Sequence, residues 1–190
     1  MQREKDMAMQ FEDVLKNGRL WAVVYEGDGI DILTKTLSDW INIDYLADFF
    51  SQNRADLETY FKITNIDEAI FDTIADAASL SCLILDIQPD ADLDKLFRPL
   101  EPGRMSEMTL SREKAKGKRI SDHPSWLRIY AIKLDAGIYL VTGGAIKLTY
   151  RMEDRQHTIE ELSRMESVRN FLIENGIIDS EGLLDYTCEV

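Results

Sequence analysis

The sequence predicts an α+β domain in which an antiparallel sheet is flanked by N-terminal helices and a C-terminal helix. The run from Trp126 to Tyr150 carries the strongest strand pattern of the chain. Two helix-start patterns, at Asn65 and Thr158, are each followed three residues later by glutamate, which is typical of a capping box. With 190 residues and 45% hydrophobic content, the chain is large enough to build one core as a single domain over residues 1–190.

The first third of the chain alternates helix and strand patterns. Residues 1–19 form a polar lead with a short helical segment that ends at Gly18. A strand is predicted over Leu20 to Tyr25, before the turn-forming residues 26–29. Ser38 is a candidate N-cap for the next helix. Its large apolar side chains are predicted to be core residues rather than a ligand cage: Trp40, Tyr45, Leu46, Phe49 and Phe50.

A longer helix is predicted to begin after Asn65. Small and apolar residues at helical spacing form its expected buried stripe: Ile66, Ile70, Ile74, Ala77, Ala78, Ser81 and Leu85. The opposite face carries Asp67, Asp72 and Asp76. Carboxylates at this spacing can bind a divalent cation, but no histidine or asparagine reinforces them. A solvated helix face is therefore the favoured interpretation, and no metal is expected.

Prolines and turn residues interrupt the chain between residues 86 and 103, after which a short strand is predicted over Arg104 to Leu110. The basic stretch, SREKAKGKR at residues 111–119, is predicted to form an exposed loop or hairpin. A strand from Trp126 to Leu134 then pairs with a second one, which contains an irregularity at Gly143 and Gly144.

The last predicted helix begins at Thr158 and ends at Gly176. Its inner stripe comprises Leu162, Met165, Val168 and Leu172. Residues 177–190 form a tail that can add a short strand or an extended arm.

Charge is distributed unevenly along the chain. The net charge is −13, which argues against non-specific affinity for nucleic acid over the whole surface. Residues 98–128, however, hold 8 Lys and Arg against 4 Asp and Glu. This region is either a solvated loop whose lysines neutralise nearby carboxylates, or a patch that binds phosphate or an acidic partner.

The cysteines and the hydropathy of the chain indicate the cellular compartment of the protein. The two cysteines, Cys82 and Cys188, show no metal-ligand or CxxC spacing, which favours free thiols in a reducing compartment. No apolar run is long enough to span a bilayer, and the start of the chain lacks the apolar region of a signal peptide. We therefore expect a cytoplasmic protein without membrane association.

Residue types near the predicted sheet favour phosphate chemistry over other reactions. The sequence contains no dinucleotide-binding, P-loop or zinc-hydrolase motif, and neither His123 nor His157 lies in a nucleophile or metal motif, so no cofactor is expected. Arginine binds phosphate bidentately, lysine neutralises charge and tyrosine stacks on bases, a combination that suits RNA. The relevant side chains are Arg104, Lys114, Lys116, Lys118, Arg119, Arg128, Tyr130, Lys147 and Arg151, with Tyr139 and Tyr150.

Three short motifs carry a resemblance to a known family: RPLEPGRMSEM (98–108), LRIYAIKL (127–134) and YLVTGGAIKLT (139–149). With the order strand, two helices, antiparallel meander and helix, they resemble the RelE/HigB-like toxin superfamily of bacterial type II toxin–antitoxin modules. The resemblance extends over most of residues 20–175. It implies a RelE-like antiparallel sheet and the activity of an mRNA-cleaving endoribonuclease.

The resemblance also implies roles for particular residues and partners. Arg128 would face the scissile phosphate and Lys147 would be the basic residue that ends the next strand, so these two are the predicted catalytic residues. A cognate helix-turn-helix antitoxin would be the protein partner, with mRNA or the ribosome as target. The residues predicted to bind and guide the RNA are Arg104, Lys116, Arg119, Tyr130 and Arg151.

Departures from the family pattern support an alternative. Met108 and Thr109 stand where the family often has arginine, the tail is acidic, and the chain as a whole is acidic. A non-catalytic binding or regulatory protein could keep the RelE-like fold and dock an acidic partner through the basic stretch. RNA cleavage would leave defined fragments, whereas docking would show only salt-sensitive association.

Overall fold

The computed structural model describes residues 9–86, 92–100, 110–117 and 122–189. Over these residues the chain has the predicted α+β class, with a mixed sheet and helices on both of its faces. The expectation of a purely antiparallel sheet is wrong. Residues 20–22 run parallel to residues 139–141, because the intervening helices return the chain to the same end of the sheet.

The described residues contain one sheet of six strands in the order β1-β2-β6-β5-β4-β3. Apart from β2 with β6, neighbouring strands pair antiparallel. The strands are β1 (Gln10–Asp13), β2 (Leu20–Val24), β3 (Phe97–Pro99), β4 (Arg112–Lys116), β5 (Leu127–Asp135) and β6 (Ile138–Ile146).

Helices precede and follow the meander from β3 to β6. They are α1 (Ile32–Asp39), α2 (Ile43–Gln52), α3 (Arg54–Asp56), α4 (Ile66–Leu85), α5 (Gln156–Glu174) and α6 (Ser180–Glu189). A π-helical turn (Leu57–Phe61) extends α3, and 3₁₀ turns occur at Leu93–Lys95 and Met152–Asp154. None of the helices in the described ranges is both long and apolar enough to cross a membrane.

The helices cover the two faces of the sheet unequally. On one face, a Cβ added to Gly144 would lie 2.7 Å from Cγ2 of Thr36 in α1, and one added to Gly117 would overlap the Asp76 carboxylate of α4. On the other face, a Cβ added to Gly143 would overlap the Glu161 carboxylate of α5. Helix α5 lies mainly over β6, so the part of this face that β4 forms is less covered.

Aromatic side chains fill the core beneath the helical layer. Trp40, Phe50 and Trp126 are buried, and the ring centroids of Phe50 and Trp126 lie 5.6 Å apart. Tyr45, predicted as a core residue, is 41% exposed. The predicted stripe of α5 is confirmed at three fully buried residues: Met165, Val168 and Leu172.

The hairpin formed by β5 and β6 is confirmed. Gly137 has a φ of +70° in its turn, a conformation that favours glycine. The pairing register shifts between Tyr130 and Ala131, opposite Gly143, where the sequence predicts an irregularity. This shift determines which residues of β6 lie on the same face as Tyr130.

Both ends of the described chain differ from expectation. The predicted N-terminal helix is instead strand β1 at the edge of the sheet, and Phe11 packs against Phe171 and Tyr186 at centroid distances of 6.1 and 5.9 Å. The tail is helix α6, which contributes Tyr186 to this cluster, rather than a strand or an arm. Contacts between chain ends far apart in sequence decide both outcomes.

Helix starts were predicted with mixed success. Asn65 caps α4 as predicted. The helix expected from Ser38 is two helices, α1 and α2, each begun by a different capping side chain. Thr158 lies inside the first turn of α5, whose N-cap is Arg155, and Glu161 is buried against the sheet instead of completing a capping box.

The buried stripe of α4 matches the predicted one only in part: Ile70 and Ala77 are buried as predicted, whereas other members differ. Asp76, expected in solvent, is 5% exposed and accepts a hydrogen bond from the Ser125 hydroxyl. Leu85, expected in the buried stripe, is 41% exposed. The buried residues of α4 are Ala69, Ile70, Thr73, Asp76, Ala77, Leu80 and Ile84. The Ser125 hydroxyl thus satisfies one carboxylate oxygen of Asp76. The other oxygen is buried without a hydrogen-bond partner among the described residues, and burial raises the pKa of the carboxyl group.

The basic stretch is not an exposed loop where it is described. Residues 112–116 form β4, which pairs with β3 on one side and β5 on the other. Glu113 and Ala115 are buried on the face that α1 and α4 cover. Residues 118–121 lie outside the described ranges, as does the strand predicted from Arg104, apart from Leu110.

Candidate functional site

A cationic cavity of about 610 Å³ lies on the face of the sheet that α5 covers in part. Strands β4 and β5 form its floor, and the segment that follows β6 forms one side. Its lining residues are Leu100, Arg112, Lys114, Lys116, Arg128, Tyr130, Lys147, Tyr150, Arg151, Met152, Glu153 and Leu162. The cavity therefore combines residues of the basic stretch with residues of the predicted hairpin.

The pairing register explains why these cations converge. Lys116 lies directly opposite Arg128, and Lys114 lies opposite Tyr130. Directly paired residues of antiparallel strands project from the same face of a sheet. On β6 the residues opposite Arg128 and Tyr130 are Ala145 and Gly143, and the space above Gly143 is occupied by the Glu161 carboxylate.

We define the cation cluster as Lys114, Lys116, Arg128 and Lys147, which all line this cavity. In the described part of the chain, none of the four forms an ion pair with a carboxylate. Like charges held this close repel one another unless an anion lies between them. The cluster is thus a candidate site for an anion such as phosphate, although Glu153 also lines the cavity and its charge acts on Lys147.

Arg128 is the most enclosed member of the cluster. Its side chain is half-buried, and its Nη1 donates to the carbonyl oxygens of Ser125 and Leu127, each at 2.7 Å. Burial lowers its pKa, but a guanidinium remains protonated at neutral pH. Its orientation is therefore fixed before any ligand binds.

Lys147 is held in a similar way just beyond β6. Its ammonium donates to the carbonyl oxygens of Thr149 and Tyr150 at 2.6 and 2.5 Å. Its backbone nitrogen donates to the Trp126 carbonyl at 2.8 Å, which continues the pairing of β6 with β5. The ammonium is thus anchored at the side of the cavity opposite β4.

The three lysines of the cluster have lowered pKa values. Burial is the main cause, and the charge of Arg128 adds to it for Lys114, Lys116 and Lys147. A lowered pKa makes an ammonium a better proton donor at neutral pH. An anion bound in the cavity would reverse part of this shift.

Five of the seven site residues predicted from sequence line this one cavity. Arg128 and Lys147 are on its floor and side, and Lys116 and Arg151 are exposed at its surface. Tyr130 lies in the floor but is fully buried, so its ring offers no free face for stacking on a base. Arg104 and Arg119 lie outside the described residues.

Other features of the cavity were not predicted. Met152 and Leu162 form an apolar side, although Leu162 had been assigned only to the inner stripe of α5. Tyr60 contacts the ring of Tyr150 at the edge of the cavity, from a position 90 residues earlier in the chain. No local pattern marks such a contact, because only the folded chain brings the two residues together.

The structure defines an α+β protein with a cationic cavity on one face of a mixed sheet. Comparisons with protein-family models, curated proteins and solved structures find no match for the chain. Functional inference therefore depends on the residues and geometry of the cavity itself.

The cation cluster predicts stabilisation by multivalent oxyanions. We expect sulfate or phosphate to raise the melting temperature by about 2–4 °C over sodium chloride of equal ionic strength, because an anion that binds the native state at several times its Kd adds about 1 kcal/mol. Differential scanning calorimetry measures this. In a Lys114→Gln, Lys116→Gln variant the difference should be lost, and an equal gain in both proteins would assign the effect to general salt action.

Proposed function

We propose that the protein is the toxin component of a bacterial type II toxin–antitoxin module and acts as an mRNA-cleaving endoribonuclease. One observation carries the proposal: Arg128 and Lys147, assigned from the sequence as catalytic, line a single cavity together with Lys114 and Lys116. A site made of arginine and lysine suits a phosphodiester whose negative charge grows during cleavage.

The order of elements supports the same proposal. Strand β2, the helical layer, the meander from β3 to β6 and helix α5 follow one another in the order seen in RelE/HigB-like toxins. In both, an arginine lies on the strand before the last one of the meander, and a lysine lies at the end of the last strand; here these are Arg128 on β5 and Lys147 directly after β6. We extend the RelE-like assignment to this chain on that basis, with the cavity as the active face.

The cavity residues can promote cleavage by the RNA's own 2′-hydroxyl. The 2′ oxygen attacks the adjacent phosphorus while the bond from phosphorus to the 5′ oxygen breaks. The hydroxyl proton passes to water, and the Lys147 ammonium, with its lowered pKa, donates a proton to the leaving oxygen. Arg128 stabilises the additional charge on the phosphorane oxygens. The products are a 2′,3′-cyclic phosphate and a 5′-hydroxyl.

The proposed partners follow from the family resemblance, and the charge of the site is compatible with them. A cognate helix-turn-helix antitoxin would neutralise the toxin by covering the cation cluster with an acidic segment. The remaining surface is acidic, so RNA attraction would be confined to the cavity and its surroundings. The target is mRNA, either free or on the ribosome, and the place of action is the cytoplasm.

Product analysis tests the proposal directly. We expect the purified protein to cut RNA, with or without ribosomes, into fragments that carry 2′,3′-cyclic phosphate and 5′-hydroxyl ends, as mass spectrometry shows. Because the 2′ oxygen is the nucleophile, a fully 2′-O-methylated RNA of the same sequence should remain intact. Fragments with 5′-phosphate ends, or cleavage of the methylated RNA, would contradict the proposed chemistry.

One observation favours a second candidate, a non-catalytic protein that docks an acidic partner. Arg128 and Lys147 each already donate to two backbone carbonyls, an arrangement that holds charge in place and serves binding as well as catalysis. Strand β4 presents Lys114 and Lys116 from a rigid support. Salt-sensitive binding of RNA or an acidic protein without any fragments would favour this candidate.

A further inference from the structure

Two tyrosine rings meet at the edge of the cationic cavity. Tyr150, which lines the cavity, is 84% exposed. Tyr60 approaches it edge to face, with the ring centroids 5.1 Å apart and the planes at 86°. This geometry leaves most of the larger surface of the Tyr150 ring in contact with solvent.

The backbone of Tyr150 is fixed by the cation cluster itself. Lys147 donates to the carbonyl of Tyr150 as well as to that of Thr149. The Thr149 hydroxyl donates to the Arg151 carbonyl at 2.9 Å, which closes the turn. The exposed ring is therefore attached to the same short segment that anchors one of the phosphate-binding candidates.

An ion pair between exposed Arg155 and buried Asp56 restrains the position of Tyr60 relative to this segment. The Arg155 guanidinium, at the start of α5, binds both carboxylate oxygens of Asp56 at 2.7 and 2.5 Å. Asp56 is 6% exposed and immediately precedes the π-helical turn that carries Tyr60. The forked arginine geometry restrains both distance and orientation. The tyrosine pair is thus held from two sides before a ligand arrives.

An exposed aromatic ring beside clustered cations is the arrangement that proteins use for single-stranded nucleic acid. The cations bind phosphates while the ring stacks on a base, and stacking tolerates any base because each has a π face. Tyr130 cannot fill this role, since it is fully buried. Tyr150 has both the exposure and the position.

We propose that Tyr150, supported by Tyr60, forms a stacking subsite for the nucleobase next to the phosphate held by the cation cluster. The inference rests on the proposed function, in that it takes the phosphate to belong to single-stranded RNA. The subsite would bind one unpaired base without specificity for the type of base. Base-paired RNA would therefore be a poor ligand.

Fluorescence polarisation with a labelled, uncleavable 2′-O-methyl hexanucleotide tests this subsite. We expect Tyr150→Ala to weaken binding about tenfold, within the range found when one stacked base loses its aromatic partner. Tyr150→Phe keeps the ring and should bind like the wild type. A hexamer of abasic residues with the same phosphates should bind wild type and Tyr150→Ala equally. Thermal unfolding should be unchanged, because the replaced side chain is exposed.

The outcomes separate the subsite from the function on which it rests. If the alanine variant binds the base-containing hexamer as tightly as the wild type, while both bind in a salt-sensitive way, the subsite is overturned and phosphate binding survives. If the wild type binds neither oligonucleotide, the proposed function and the subsite fall together. Stronger binding of an acidic peptide with the same dependence on Tyr150 would overturn the assignment to RNA.

Discussion

Replacing Arg128 and Lys147 together by alanine is expected to abolish growth arrest when the chain is expressed in bacteria. In the purified protein, RNA cleavage should fall by about 10³-fold or more, because removal of one charge-stabilising donor typically costs 10²- to 10³-fold in rate. Each residue acts on the same phosphate, so the double variant removes the cation at both sides of the cavity. Colony counts after induction and initial cleavage rates measure the two effects.

A matched control removes two cations elsewhere. Lys16 and Arg54 form exposed ion pairs with Glu12 and Glu58, and neither of the two cations lines the cavity. A Lys16→Ala, Arg54→Ala variant changes the net charge equally and should keep full toxicity, since exposed pairs contribute little to stability. Circular dichroism and thermal unfolding should confirm that both double variants fold.

A conservative variant tests whether the role of Arg128 is only structural. Arg128→Lys keeps the charge but loses the guanidinium fork that donates to the Ser125 and Leu127 carbonyls and can bind phosphate bidentately. We expect partial activity, between that of the wild type and that of Arg128→Ala. Undiminished growth arrest in the Arg128→Ala, Lys147→Ala protein would remove these residues from the proposed active site.

The stability of the protein is expected to fall as pH rises from about 5 to about 7.5, and Glu161 is the expected cause. Its carboxylate packs against Gly143, and Oε1 accepts a hydrogen bond from Arg164 at 2.8 Å. Oε2 is buried and has no hydrogen-bond partner among the described residues. Burial raises the pKa of Glu161 from 4.5 to about 7, against the charge of Arg164. The folded protein therefore keeps a proton that the unfolded chain loses.

The sign of the effect follows from the number of bound protons. Between pH 4.5 and 7 the folded state binds more protons at Glu161 than the unfolded state, so the free energy of unfolding decreases as pH rises. The stabilisation is complete below pH 4.5 and is lost above about 7. At about 1.4 kcal/mol per unit of pKa, the contribution is about 3 kcal/mol.

Urea denaturation at several pH values measures this contribution. A Glu161→Gln variant should lose most of the slope over this pH range, whereas Glu174→Gln, an exposed position on the same helix, should keep it. A Glu161→Gln protein with the wild-type slope would show that the carboxylate is ionised throughout.

Local sequence patterns were most informative where neighbouring residues decide structure. The hairpin of β5 and β6 follows from a run of β-branched and aromatic residues interrupted by a turn with glycine, and the cap of α4 follows from Asn65. The family resemblance, not a local pattern, selected Arg128 and Lys147 in that region, and both line the cavity. Strand periodicity and helix capping depend on a few neighbouring residues, so both can be recognised in the sequence without knowledge of the fold.

Local sequence patterns gave wrong predictions where a residue far away in the sequence determines the local structure. Asp76 was predicted to be solvated, but in the fold it is buried against Ser125. Glu161 was predicted to complete a capping box, but its carboxylate packs against Gly143 instead. The segment around Phe11 reads as helix, but packing on the C-terminal helices keeps it in a strand. In each case burial against a remote element outweighs local propensity.

The sequence by itself determined the α+β class, the hairpin and the identity of the cations. The tertiary structure alone decided that β2 runs parallel to β6, that four of those cations face one another, and that Tyr60 supports Tyr150. The physical reason is the sequence separation over which each kind of interaction acts. Propensity and periodicity are properties of adjacent residues, whereas strand register and side-chain convergence depend on contacts between segments that can be more than a hundred residues apart.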